Sequence, residues 1–145
     1  MMKWQKLLSF KRLGKEKQQS VTNIKFRTPF QQDFDRIVFS SEFRRLQNKT
    51  QVFPMPKSDY VRNRLTHSLE TASVGRSLGN IAGQYILKKY PELNSEFNFS
   101  DIGAIVSSAC LAHDIGNPPF GHSGEDAISE YFKSDLASKF LINLN

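Results

Sequence analysis

Three residues with metal-binding side chains stand out in the sequence: His67, and the adjacent pair His113 and Asp114. Imidazole and carboxylate together suit a divalent transition metal. Adjacent residues on a helix point about 100° apart, so His113 and Asp114 can share one ion only where a helix is ending. Gly116 is a candidate helix C-cap, and the proline pair at 118–119 prevents the helix from continuing. This stretch therefore predicts a helix that stops at two metal ligands.

Each of these residues also has a purely structural interpretation. A single inward-facing histidine is usually a core residue whose hydrogen bonds are satisfied, but two of them, one followed by an aspartate, favour a metal site. Cys110 is the one cysteine in the chain and fits a small buried hydrophobe better than a reactive thiol. Because no disulfide can form within the chain, the protein suits a reducing cytoplasm.

The composition is that of one compact, water-soluble domain. The chain has 145 residues, of which 39% are hydrophobic and 23% charged, and it contains neither a membrane-span pattern nor a signal peptide. The net charge is +6, and the excess is concentrated near the N-terminus. We therefore predict a basic N-terminal arm over residues 1–30 and a domain over residues 31–145. Single-stranded nucleic acid is a candidate partner for the basic surface.

Hydrophobic spacing predicts an all-α protein. One helix is expected from Gln31 to about Asn48, and a longer one from about Arg64 to Lys89. A third helix is capped by Ser100 and runs to about His113, and a fourth begins after Ser123. For the long helix, the spacing predicts an inward face made of these residues: His67, Thr71, Val74, Leu78, Ile81 and Tyr85.

Three glycines recur at every fourth position of the long helix, namely Gly75, Gly79 and Gly83. Each glycine in a helix interior costs about 1 kcal/mol relative to alanine. Three of them on one stripe predict that another helix packs unusually close at that face.

The order His67, then His113 with Asp114, resembles the HD superfamily of metal-dependent phosphohydrolases, whose pattern is H…HD…D. Three longer blocks strengthen the resemblance: "DFDRIVFSSEFRRLQNKTQVFP", "NRLTHSLETASVGRSLG" and "CLAHDIGNPPFGHSGEDAI". They resemble successive segments of the bacterial deoxyguanosinetriphosphate triphosphohydrolases and related dNTPases, and they extend from about Asp33 to Ile128. The resemblance implies an HD-type helical bundle and the hydrolysis of a deoxynucleoside triphosphate to a deoxynucleoside and inorganic triphosphate.

The same resemblance assigns roles to individual residues. His67, His113 and Asp114 match three of the family's four ligands for a divalent ion, which can be Mg²⁺, Mn²⁺ or another transition metal. His122 and Glu125 match the acid–base pair of the family. Two further residues match substrate-binding positions: Arg64 an arginine that contacts phosphate, and Gln51 a glutamine that hydrogen-bonds the deoxyribose.

Two features depart from the family pattern. Asn117 stands where some relatives carry a histidine near the phosphates. The family's fourth ligand is an aspartate on a later helix, and Asp126 and Asp135 lie too close to the His-Asp pair to fill that position. We therefore expect the HD bundle to be incomplete at its C-terminus, and the absence of the fourth ligand leaves open whether this chain alone is active. The resemblance also implies a homo-oligomer in the complete protein.

The sequence also allows other roles for several side chains and two other functions for the chain. Arg44 and Arg45 fit a solvated surface as well as a nucleotide-binding one, and Phe120 fits the packing of its turn better than stacking on a base. The function alternatives are another HD-type phosphohydrolase or phosphodiesterase, and a catalytically silent fragment that binds nucleic acid or a partner.

Overall fold

The computed structural model describes residues 3–14, 27–49, 62–118 and 120–141. Within these ranges the structure is helical and has no strand, which confirms the predicted fold class. The helices are α1 (Trp4–Leu7), α2 (Pro29–Phe39), α3 (Ser41–Arg45), α4 (Arg64–Lys89), α5 (Phe99–Ala112), α6 (His122–Lys133) and α7 (Asp135–Leu141), with 3-10 turns at Leu46–Asn48 and Pro91–Ser95. The chain divides into two compact units, Met1–Ile115 and Gly116–Asn145. No helix in the described ranges is long and apolar enough to cross a membrane.

The helix predicted from Gln31 to Asn48 is in fact divided at Ser40. This residue has extended backbone angles, φ −70° and ψ 149°, so it ends α2 and begins α3. Its hydroxyl donates to the carbonyl of Ile37 at 2.7 Å and accepts from the amide of Phe43 at 3.2 Å. Ser40 thus satisfies a backbone carbonyl at the end of α2 and a backbone amide at the start of α3. Apolar periodicity does not reveal such a break between two helices.

The two long helices begin at reciprocal capping pairs. Asn63 caps α4, since its side chain accepts from the amide of Thr66 at 2.9 Å while the Thr66 hydroxyl accepts from the amide of Asn63 at 3.1 Å. Asn98 caps α5 in the same way with Asp101. The prediction that Ser100 caps this helix is therefore wrong, because Asn98 has an acid three residues later to complete the pair.

The glycines of α4 lie against α5. A Cβ added to Gly79 would approach the Cα of Gly103 to 2.9 Å, and one added to Gly83 would approach the carbonyl oxygen of Phe99 to 2.8 Å. At Gly75 the nearest atom would be the Sγ of Cys110, at 2.6 Å. The predicted close helix packing is confirmed, and α5 is the helix concerned.

The predicted inward face of α4 is wrong for its four large apolar residues. Val74, Leu78, Ile81 and Tyr85 are 61%, 61%, 53% and 73% exposed, respectively. The buried residues of α4 are Ser68, Ala72, Gly75, Gly79, Gly83 and Leu87. Apolar spacing favours large side chains, whereas the close approach of two helices requires small ones, so the spacing predicts the wrong side of the helix.

Two apolar clusters hold the first unit together. One contains Leu8, Phe30, Leu87, Leu93 and Phe97, and the rings of Phe10 and Phe97 stack within it at 4.9 Å. The second contains Phe43, Leu46, Ala72 and Leu111. Ala72 and Leu111 belong to α4 and α5, so the second cluster fixes these helices near the ends that carry His67 and His113. Leu8 is buried although it lies in the predicted basic arm; the arm's boundary stays a prediction.

The second unit consists of α6, α7 and the turn before them. Gly121 and Phe120 precede α6 with φ values of 55° and 67°, and Gly121 is the N-cap, so the predicted Ser123 cap is wrong. Phe120 is 91% exposed, and the interpretation that it packs the turn is wrong as well. Ala137, in α7, is fully buried.

Candidate metal centre

The structure brings together the three residues predicted to bind a metal. His67 lies in the first turn of α4, whereas His113 and Asp114 follow the last residue of α5, Ala112. One potential ligand atom from each of the three lies within 4.8 Å of the others. The rings of His67 and His113 meet edge to face, with centroids 5.3 Å apart. As predicted, the helix ends where the two adjacent candidate ligands begin.

A backbone carbonyl determines which nitrogen of His113 is available. Its Nδ1 lies 2.7 Å from the carbonyl oxygen of Cys110. A carbonyl oxygen only accepts hydrogen bonds, so we assign a ring proton to Nδ1, and in the neutral ring it is then Nε2 that can bind a metal. Metal-binding histidines commonly donate their other N–H to a carbonyl in this way. Cys110 therefore contributes to the site through its backbone.

The Nε2 atom of His113 faces a carboxylate. This nitrogen lies 3.5 Å from Oδ2 of Asp114. A neutral imidazole nitrogen and a carboxylate oxygen are both acceptors, so neither stabilises the other without a cation or a proton between them. The imidazole and carboxylate donors therefore fit a divalent transition metal.

Asp114 is the buried member of the site. Its side chain is 9% exposed, and Arg64 donates to its Oδ1 from Nη1 at 2.7 Å. A buried carboxylate is costly unless it is paired, and this ion pair joins the start of α4 to the residue pair that follows α5. The family resemblance predicts that Arg64 contacts substrate phosphate. In the structure, Arg64 contacts Asp114, which is a candidate metal ligand.

The predicted acid–base residues form a pair in the second unit. His122 and Glu125 lie in the first turn of α6, and their Nδ1 and Oε2 atoms are 3.2 Å apart. The side chain of His122 is 98% exposed and that of Glu125 is 49% exposed. Gln51, the other predicted substrate-binding residue, lies outside the described residues.

The basic N-terminal segment is partly neutralised by acids of α2. Arg12 pairs with Asp33 at 2.6 Å and lies over the ring of Phe30, 5.2 Å from its centroid. Arg27 pairs with Asp35. These contacts reduce the free positive charge that the segment offers to nucleic acid.

The sequence analysis missed two contacts of the site: the carbonyl of Cys110 and the ion pair of Arg64 with Asp114. A local pattern indicates the contact of His113 with Cys110, because the last carbonyls of a helix lack intrahelical partners and His113 comes three residues after Cys110. No local pattern indicates the ion pair, because Arg64 and Asp114 are 50 residues apart in the chain.

Comparisons with known proteins find a matching family model and similar sequences. A model of the HD domain matches residues 64–142. A deoxyguanosinetriphosphate triphosphohydrolase-like protein of Synechocystis sp. is 56% identical over 139 residues, which cover 95% of this chain and 30% of that protein. A protein of the same description from Pseudomonas aeruginosa is 54% identical over 132 residues, covering 91% and 29%.

A third relative carries the unqualified enzyme name. The deoxyguanosinetriphosphate triphosphohydrolase of Klebsiella pneumoniae is 49% identical over 115 residues, which cover 74% of this chain and 22% of that enzyme. The chain thus spans about 30% or less of the length of these curated relatives.

Proposed function

This chain belongs to the HD domain family, and we propose that it takes part in the metal-dependent hydrolysis of deoxynucleoside triphosphates to a deoxynucleoside and inorganic triphosphate. One observation carries the proposal: His67, His113 and Asp114 converge within 4.8 Å. The names of the relatives from Synechocystis sp. and Klebsiella pneumoniae support the choice of substrate.

His67, His113 and Asp114 are the proposed ligands of the metal. Two imidazoles and one carboxylate suit Mn²⁺ or another transition metal, and Mg²⁺ is the alternative. A divalent ion held by these residues would neutralise charge on the phosphates and would lower the pKa of a water molecule that attacks the phosphorus. The hydrogen bond from His113 to the Cys110 carbonyl, 2.7 Å long, holds the ring with Nε2 towards Asp114.

Arg64 is the proposed phosphate-binding residue. Its guanidinium group is planar, permanently charged and suited to bidentate contacts with phosphate. The side chain is 29% exposed and contacts Asp114, so a substrate can reach it without unfolding of the site. We propose that Arg64 transfers part of its hydrogen bonding from Asp114 to the phosphate chain when substrate binds.

His122 and Glu125 are the proposed proton-transfer residues. Attack of water on the phosphorus next to the nucleoside breaks the bond to the nucleoside oxygen, which needs a proton to leave. Histidine is suited to transfer that proton near neutral pH, and Glu125, 3.2 Å from its Nδ1, orients the ring or accepts a proton from the water. Gln51 is the proposed hydrogen-bond partner of the deoxyribose.

The experiment is a product analysis with this chain, dGTP and Mn²⁺ or Mg²⁺. Anion-exchange separation should show deoxyguanosine and inorganic triphosphate released in equal amounts. His67→Ala should abolish the release, since it removes a proposed ligand from α4 while leaving the cap at Asn63 in place.

Two outcomes would contradict the proposal. Release of orthophosphate or pyrophosphate would indicate a different HD-type phosphohydrolase. A chain that neither releases triphosphate nor binds dGTP in a Mn²⁺-dependent way would show that these residues do not serve a triphosphohydrolase.

A further inference from the structure

A second arginine–carboxylate pair lies at the start of α4, beside the candidate metal centre. Arg62 immediately precedes Asn63, the cap of the helix, and its Nη2 lies 3.1 Å from Oε2 of Glu70. The two side chains are 64% and 55% exposed. Exposed pairs of this kind stabilise a fold very little, so an incoming anion can open this pair at small cost.

Helix geometry places the pair on the flank of His67. Arg64, His67 and Glu70 are three residues apart along α4, so successive members are rotated by about 60° around the helix axis. Arg64 flanks His67 on one side, where it contacts Asp114, and Glu70 flanks His67 on the other. Helical side chains lean towards the N-terminus. The carboxylate of Glu70 and the guanidinium of Arg62 therefore meet near the turn that carries His67.

The electrostatics of α4 favour an anion at the same end. The helix is 26 residues long, and its first turn contains no acidic residue. The N-terminus of a helix carries partial positive charge, so acids stabilise it and arginines do not. Arg62 and Arg64 nevertheless stand on either side of the cap, Asn63. An anion between the two guanidinium groups would be attracted by both of them and by the helix end.

We propose that Arg62 is a second phosphate-binding residue, and that Glu70 holds its guanidinium beside the candidate metal centre until a polyphosphate displaces the carboxylate. The inference rests on the proposed function, because the ligand is the triphosphate portion of the substrate. Arg64 shares its charge with Asp114, 2.7 Å away. A second guanidinium on the opposite flank of His67 adds a full positive charge and can contact two phosphate oxygens at once.

The test is calorimetric titration of the 145-residue chain with inorganic triphosphate in excess Mn²⁺. Arg62→Gln should weaken triphosphate binding about tenfold, as expected for the loss of hydrogen bonds between charged groups. Glu70→Gln should strengthen binding about twofold, because it removes a competing carboxylate of a weak surface pair. Arg76→Gln is the matched control, since Arg76 is exposed on the same helix, about 18 Å along it from Arg64. This control should bind triphosphate as the wild-type chain does.

The double variant Arg62→Gln/Glu70→Gln separates a direct contact from general attraction. It has the same net charge as the wild-type chain, so a purely long-range effect would restore wild-type affinity. A direct contact of Arg62 with phosphate predicts that the double variant stays at least about fivefold weaker than wild type. Arg62→Lys keeps the charge but lacks the planar fork, so its affinity should lie between those of wild type and Arg62→Gln.

Wild-type affinity in Arg62→Gln or in the double variant would overturn the inference. His67→Ala shows whether the proposed function is wrong as well. If His67→Ala abolishes triphosphate binding and Arg62→Gln does not weaken it, the proposed function stands and Arg62 has no part in it. A wild-type chain that binds no triphosphate in the presence of Mn²⁺ would contradict both. Circular dichroism of each variant is the control for folding.

Discussion

His113 and His122 are both candidate functional histidines, but different kinds of structure position them. His113 sits at the end of α5, where the Cys110 carbonyl fixes its ring at 2.7 Å and α4 brings the ring of His67 to 5.3 Å between centroids. His122 has a side chain that is 98% exposed and pairs with Glu125 of the same helical turn. Tertiary packing thus orders the first histidine, while local helix geometry alone orders the second. The candidate metal centre is accordingly preorganised in this chain to a degree that the exposed pair is not.

The largest effect that separates the two histidines should appear in metal binding. His113→Ala removes a ligand and should weaken Mn²⁺ binding by more than about a hundredfold, beyond the 10–100-fold cost of losing an outer-shell contact. His122→Ala should leave Mn²⁺ binding within about twofold of wild type, since surface pairs such as His122–Glu125 add little stability. Isothermal titration calorimetry, or the loss of the free Mn²⁺ electron paramagnetic resonance signal, measures both.

A stoichiometric ion that remains tightly bound in His113→Ala would refute the ligand assignment. An equal loss of Mn²⁺ affinity in His113→Ala and His122→Ala would instead show that the ordered and the exposed histidine do not differ in metal binding. Circular dichroism of each variant serves as the control for folding.

The second effect concerns the packing that orders His113. Gly79→Ala adds a methyl group 2.9 Å from the Cα of Gly103, and this atom is backbone and cannot turn aside. Overpacking costs about 1–3 kcal/mol, which should exceed the ~1 kcal/mol gained in helix propensity. We expect a lower free energy of unfolding and weaker Mn²⁺ binding, measured by urea denaturation and calorimetry.

Ser77→Ala is the matched control for Gly79→Ala, because Ser77 lies on the exposed side of the same helix. Its effect on stability should stay within about 0.5 kcal/mol. If Gly79→Ala proves as stable as Ser77→Ala, then α4 and α5 can separate at little cost, and their close packing does not hold the metal centre together.

The same contrast between local and tertiary order explains what the sequence could predict. The bounds of α4, the end of α5 and the presence of a closely packed helix beside the glycines all follow from local signals, such as prolines and the glycine spacing. The convergence of His67 with the pair His113 and Asp114 is implied by the resemblance to the HD pattern, in which one histidine precedes a His-Asp pair. These features need no knowledge of which helix packs on which.

The errors arise where tertiary contacts decide. The large residues Val74 and Leu78 were placed inward, because spacing alone ranks side chains by apolar area and cannot know that α5 approaches closely enough to require glycine. The ion pair of Arg64 with Asp114 was missed for a similar reason, since no local pattern relates residues 50 positions apart. Sequence therefore predicts three candidate ligands that lie together in the structure, but not the arginine that neutralises one of them.

That ion pair leads to the smallest predicted effect. Arg64→Gln removes a positive charge 2.7 Å from Oδ1 of Asp114 and frees that oxygen for a cation. A divalent ion then meets less electrostatic competition, and Mn²⁺ should bind about fivefold more tightly, equivalent to about 1 kcal/mol, which is the size of a charge–charge interaction screened as in water. Arg64→Lys keeps the charge and should bind Mn²⁺ as wild type does. The paired titrations also separate two roles for the arginine. Tighter metal binding in Arg64→Gln means that Arg64 and the ion compete for Asp114, whereas weaker binding would show that the guanidinium group is needed to hold the carboxylate in place.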